Sequence, residues 1–231
     1  MCALLTWNRV IPPEQMRKAL CRVMQQHRML TTQLCLQEGH LMQQENPWVE
    51  PAFTWYEAQR FDRQIYEKML KSPVSLFHAP LWRAILVQAE GKSILMTNLH
   101  HLIADGVSIG LLTRCLQAAL AGHPLPEPGR SYREFVEEEE AYLSSDLCRV
   151  QGAFWKKRLS GLKVCRFPVE TAQGGTARRV VLERELPQLN APLCSFAQEQ
   201  GISRFAVLFS AFVLAVGLYC HSEDVTVGLV S

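Results

Sequence analysis

The chain has 231 residues, 48% of them hydrophobic, which is apolar material for one large domain or one and a half smaller ones. Its 24 Lys and Arg against 22 Asp and Glu leave a formal net charge of +2, so it lacks the concentrated basic surface that neutralises phosphates, and no nucleic-acid partner is expected. The eight cysteines stand singly, without a C-x-x-C, and Cys21 and Cys115 fall on apolar helical positions where a reduced thiol acts as a small hydrophobe; a reducing, cytoplasmic setting is expected.

The N-terminal "MCALLTWNRV" has no basic residue ahead of its apolar stretch, which ends too soon for a signal-peptide core, and it reads as a strand. Pro12 and Pro13 suit a first turn, and Met16, Ala19, Leu20, Val23 and Met24 repeat at i, i+3, i+4, i+7 and i+8, predicting a helix over 12–26. "TTQLCLQEGHLMQQ" predicts a hairpin about Glu38-Gly39, "AFTWYE" a strand and 62–71 a short helix. Two strands, 80–88 and 93–101, are expected to join at Glu90-Gly91, followed by an amphipathic helix over 108–121 closed by Gly122.

Beyond the proline-rich bend "HPLPEPG" (123–129), a helix begins near Tyr132, and its "EEEE" run (137–140) reads as a solvated face. A further helix carries "FWKKRLSG", and "TAQGGTA" (171–177) is the expected linker between a first lobe, 1–170, and the beginning of a second, 178–231. The second part reads as a strand "RRVVLEREL", a helix over about 190–200, an apolar helix over 205–220 and a final strand "DVTVGLV". "FAVLFSAFVLAVGLYC" (205–220) is apolar all round but shorter than the ~18–20 residues of a spanning helix, so a buried core helix is expected and no membrane span. The order is mixed α and β.

The chemistry gathers at "LMTNLHHLIADGVSIGLL" (95–112). On a strand reaching His101, side chains alternate, so Leu95, Thr97, Leu99 and His101 share one face while Ile94, Met96, Asn98 and His100 share the other. Two imidazoles on opposite faces make a poor metal clamp, and no H-E-x-x-H or cysteine partner lies nearby; no metal is expected. His101 is then the candidate general base, since a neutral imidazole, with a pKa of about 6.5, can take a proton from an alcohol or amine and return it to a leaving group. His100 is expected to be a hydrogen-bonded core histidine, Asp105 to hold the turn ahead of a helix that Ser108 can cap or to neutralise a cation, and Gly106 to supply positive φ or a close backbone approach.

"HHLIADG" (100–106) resembles the H-H-x-x-x-D-G motif of the condensation-domain and CoA-dependent acyltransferase superfamily. "HRMLTT" (27–32) is similar to that family's H-x-x-L-R-T segment, "APLWRAILV" to its G-P-L-x-R-A strand and "FWKKRLSG" to its Y-W-x-x-x-L-x-G. The resemblance implies a chloramphenicol acetyltransferase-like fold with His101 in a channel between two lobes. It also implies no permanently bound cofactor: the co-substrate is an acyl-CoA or an acyl-phosphopantetheine thioester. Two positions depart from the pattern: Thr31 stands where the family has arginine, and Gln26 precedes His27, leaving Arg28 or Arg83 to pair with Asp105. The family's D-F-G-W-G-like latch is not found before Ser231, so the second lobe is expected to be only begun.

The leading expectation is an acyltransferase that moves an acyl group from a CoA or carrier-protein thioester to an alcohol or amine. A truncated, inactive remnant that binds an acyl thioester or a protein is the alternative, and a peptide-synthetase condensation domain forming amide bonds is a further one. The expected partners are a small-molecule donor and acceptor, a carrier protein, and a partner chain covering the apolar helix 205–220.

Overall fold

The structure, a computed structural model, describes residues 1–70, 72–162, 165, 167 and 182–229. The chain divides into two compact units, Met1–Leu143 and Ser144–Ser231. The expected linker at 171–177 lies outside the described residues, and the "FWKKRLSG" helix, expected in the first lobe, falls in the second unit.

The first unit is built on a four-stranded sheet of β1 (Cys2–Trp7), β6 (Lys92–Leu99), β5 (Trp82–Ala89) and β4 (Phe53–Glu57), in that spatial order. β6 runs antiparallel to both β1 and β5, and β4 lies parallel to β5. A separate hairpin pairs β2 (Thr32–Gln37) with β3 (His40–Glu45). Both two-residue hairpin turns need φ > 0 at each central position, and the chain meets this with Glu38 at 51° and Gly39 at 82°, and with Glu90 at 53° and Gly91 at 73°.

Both faces of the sheet are covered, which is why β5 and β6 read as nearly continuous apolar runs. Trp82, Ala84, Leu86, Leu95 and Leu99 pack on one face in a core that also takes in α1 (Pro13–Gln26) and α3 (Gly106–Leu120). Ile85, Val87, Ile94 and Met96 face the other way, against Tyr66 and Leu70 of α2 (Arg63–Leu70). The expected alternation therefore holds through Leu99, and the last residue of the expected helix 62–71 lies outside the described residues. α1 buries Met16, Ala19, Leu20, Val23 and Met24, the five residues its periodicity marks. α3 ends in a Schellman arrangement, with Gly122 at φ +75° donating to the Ala119 carbonyl and His123 to that of Ala118. α4 (Tyr132–Leu143) keeps its acidic run exposed, with Arg133 paired to Glu137 and Arg130 to Glu138.

The second unit holds α5 (Asp146–Arg158), α6 (Asn190–Glu199) and α7 (Arg204–Tyr219). One expected strand is corrected, and another is described only in part, its residues 178–181 lying outside the described residues. The described part of "RRVVLEREL", 182–186, and residues 224–229 of "DVTVGLV" are irregular, because a strand exists only where its N–H and C=O groups find a ladder partner, and neither does so among the described residues. The buried core helix expected at 205–220 is corrected too: α7 packs on α6, but only Val216 is closed off, while Phe205, Phe212 and Leu218 are 60%, 52% and 78% exposed. No single helix among the described residues is long and apolar enough to cross a membrane, and α6 and α7 meet at a 105° bend.

Candidate active site

β6 ends at Leu99, two residues before the strand expected to reach His101, and this changes how the histidines are held. The backbone leaves the ladder at His100, whose N–H donates to the Leu81 carbonyl at 2.9 Å and whose carbonyl accepts from Ile103 N–H at 3.1 Å. The segment between β6 and α3 is therefore a tight turn, and strand alternation no longer assigns the imidazoles to opposite faces. Ile103 and Ala104, 7% and 8% exposed, plug the turn into the core, while His100, His101 and Asp105 remain exposed.

His100 is corrected from a core histidine to an exposed one. Its Nδ1 accepts a hydrogen bond from Leu102 N–H at 3.1 Å, which in the neutral ring leaves the proton on Nε2 and fixes the turn from within. His101 is different, since its imidazole has no hydrogen-bond partner among the described residues and is free to bind one.

Asp105 is the N-cap of α3. Its Oδ1 accepts from Ser108 N–H at 2.8 Å and from Ser108 Oγ at 2.6 Å, and Ser108 Oγ accepts in return from Asp105 N–H at 3.1 Å. This reciprocal capping box satisfies donors that a helix start leaves open. The Ser108 hydroxyl, and then its backbone N–H, hold the Asp105 carboxyl below its usual range. Neither expected arginine pairs with it: Arg83 directs its guanidinium to the Ser72 and Pro73 carbonyls at 3.0 and 2.8 Å, and Arg28 lines a cavity whose lining does not include Asp105. Gly106 is corrected as well, since its φ is not positive and an added Cβ would meet nothing within 4 Å.

Behind the turn lies a cavity of about 750 Å³ that sequence reasoning missed. Leu99, Ile103, Ala104 and Ser108, the residues flanking the histidine turn, form one side; His27, Leu30, Leu112, Tyr132 and Phe135 contribute to the rest. His100, His101 and Asp105 are not among its lining. His27, at the C-cap of α1, sets its Nε2 3.3 Å from the buried Cys115 Sγ. Burial pushes the His27 imidazole down and the Cys115 thiol up, so both groups are held neutral. The legible signal was "HRMLTT", a polar pair directly after a helix with an apolar stripe, but nothing in it marks Cys115 as the partner. Among the described residues no three His, Cys, Asp or Glu side chains converge as a metal site would require.

The Condensation domain family model matches residues 1–231. Among curated proteins, tyrocidine synthase 3 of Brevibacillus parabrevis is 29% identical over 232 residues, covering 93% of this chain and 3% of that one. Among solved structures, the SgcC5 protein of Streptomyces globisporus superimposes with a TM-score of 0.76 at 22% identity, over 98% of this chain and 55% of its own. The epimerization domain from the third module of tyrocidine synthetase B gives 0.77 at 19% identity, over 96% and 55%. The chain thus spans little more than half of these solved neighbours. The structural likenesses establish the mixed α and β, chloramphenicol acetyltransferase-like fold. Membership follows from the family match along the whole sequence: the chain belongs to the condensation-domain family.

Proposed function

We propose that this chain carries the histidine-bearing half of a condensation site, where an acyl group held as a thioester on a carrier protein's pantetheine arm is joined to an amine as an amide. The observation that carries this reading is His101, exposed and without a hydrogen-bond partner among the described residues, on a turn pinned at one end by the Leu81 carbonyl and at the other by the Asp105–Ser108 cap. The relatives support amide formation over the stand-alone acyltransferase that the sequence put first, since the matching family is the Condensation domain and the curated protein named above is a synthase of which this chain covers a small part.

In the proposed step the amine nitrogen attacks the thioester carbon, the C–N bond forms and the C–S bond breaks. His101 accepts the proton from the nitrogen and delivers it to the departing thiolate. A thioester already has a good leaving group, so orientation and one proton-transfer residue suffice without a covalent nucleophile. His100 and Asp105 act as positioning residues, one inside the turn and one at its helix end. The proposed setting is a reducing, cytoplasmic one, supported by thiols such as Cys115 placed as core hydrophobes.

The test supplies residues 1–231 with an acyl-loaded carrier protein and an aminoacyl-loaded one and follows the amide product by mass spectrometry. His101→Ala should lower its formation about 10²–10⁴-fold with an unchanged far-ultraviolet spectrum. Product formed at the wild-type rate by the folded variant would remove His101 from the mechanism. A second reading, a binding module without turnover, is favoured by the exposed apolar face of α7. It predicts carrier binding by wild type with no thioester consumed.

A further inference from the structure

We propose that Cys165 and Cys220 are a redox modification site, a thiol pair that closes reversibly into an intrachain disulfide between the segment after α5 and the end of α7. Cys220 is the C-cap of α7, its N–H donating to the Leu218 and Val216 carbonyls. The chain then folds back: Ser222 N–H donates to the Gly217 carbonyl at 2.9 Å, and Ser222 Oγ to the Asp224 carbonyl at 2.8 Å. That same Asp224 carbonyl accepts from Cys165 Sγ at 3.3 Å. Two residues on, the Phe167 ring lies 5.9 Å from that of Tyr219, the neighbour of Cys220. Contacts to Asp224 on one side and Tyr219 on the other therefore lay residues 165 and 167 across the turn that holds Cys220.

The sulfurs are neighbours within this frame. Burial, then the charge of Cys165 and a side-chain hydrogen bond with it, push the Cys220 thiol up. Both cysteines are half-buried, so a small oxidant reaches them, whereas Cys115 is fully enclosed. No residue of the histidine turn takes part, and the inference is independent of the proposed function.

The oxidant class is a peroxide. The sulfur of one thiolate attacks a peroxide oxygen, the O–O bond breaks, and a sulfenic acid and one water result. The second sulfur displaces hydroxide from the sulfenic sulfur, the S–S bond forms, and the released proton and hydroxide make the second water. Two thiols lose two electrons in total, and one hydrogen peroxide becomes two waters; a dithiol reductant reverses the change.

The experiment treats folded residues 1–231 with stoichiometric hydrogen peroxide, blocks free thiols and maps peptides without reduction. A Cys165–Cys220 linked peptide, 2 Da lighter than its reduced parts and released by dithiothreitol, should be the dominant cross-link. In urea the same treatment should scatter the linkages among the eight cysteines. Cys165→Ser and Cys220→Ser should each remove the linked peptide. Cys165 and Cys220 found unlinked in the folded wild type, or linked to the same yield in folded and unfolded chain, overturns the proposal whatever the variants do.

Discussion

Replacing Trp82 by phenylalanine should destabilise the first unit by about 2–4 kcal/mol. Trp82 is 3% exposed at the start of β5, and its indole N–H donates to the Leu30 carbonyl at 2.9 Å in a buried setting. Phenylalanine replaces part of the ring volume but cannot donate. The Leu30 carbonyl then stays closed from water without that partner, costing about 1–3 kcal/mol, and the missing ring atoms leave unfilled space worth about 1 kcal/mol more. The effect bears on the site because Trp82 pairs opposite Leu99, one residue before His100, and the preceding Leu81 carbonyl anchors His100 N–H. Urea unfolding followed by far-ultraviolet circular dichroism reads the shift in the midpoint. Trp55→Phe is the control: that ring is 48% exposed and should change stability by less than about 0.5 kcal/mol. A Trp82→Phe midpoint equal to wild type, or an equal shift in both variants, would refute the buried-donor reasoning.

Asp105→Ala should lower stability and amide formation together, and Asp105→Asn, which keeps a capping acceptor, should recover most of both; thermal melts beside the carrier-protein assay check this, and activity lost at unchanged melting temperature would mean direct chemistry by Asp105. His27 makes stability depend on pH: burial lowers its folded pKa below the ordinary 6.5, so the contribution is complete above 6.5 and is lost as pH falls through the lowered value. The urea midpoint should fall between pH 7 and pH 5 in wild type by more than in His27→Gln, and equal slopes in the two proteins would remove His27 as the cause. Thr97→Val should be neutral or stabilise by up to about 1 kcal/mol, because the buried Thr97 Oγ1 has no hydrogen-bond partner among the described residues; a loss above about 1 kcal/mol in the same urea assay would show that it has one.

The sequence by itself determined the elements whose signals are local. The stripe from Met16 to Met24 is a helix face whatever it packs on, Glu38-Gly39 and Glu90-Gly91 are hairpin turns because glycine tolerates their φ, and Gly122 ends a helix for the same reason. H-H-x-x-x-D-G was equally legible, being contiguous, but the cap expected of Ser108 falls to Asp105, with Ser108 three residues inside the helix that starts at Gly106. Tertiary structure decided what depends on partners distant in sequence. Alternation from Leu95 to Leu99 gave no sign that the ladder stops there, because that end is set by where Leu81 and Trp82 stop pairing across from β6. The same limit applies to 182–186 and 224–229, whose β-like composition finds no ladder among the described residues, and to α7, whose apolarity says what it would bury but not what covers it. Neither the His27–Cys115 contact nor the approach of Cys165 to the turn after Cys220 leaves a trace in local pattern, since each joins residues more than fifty positions apart, and only the folded chain brings them within reach.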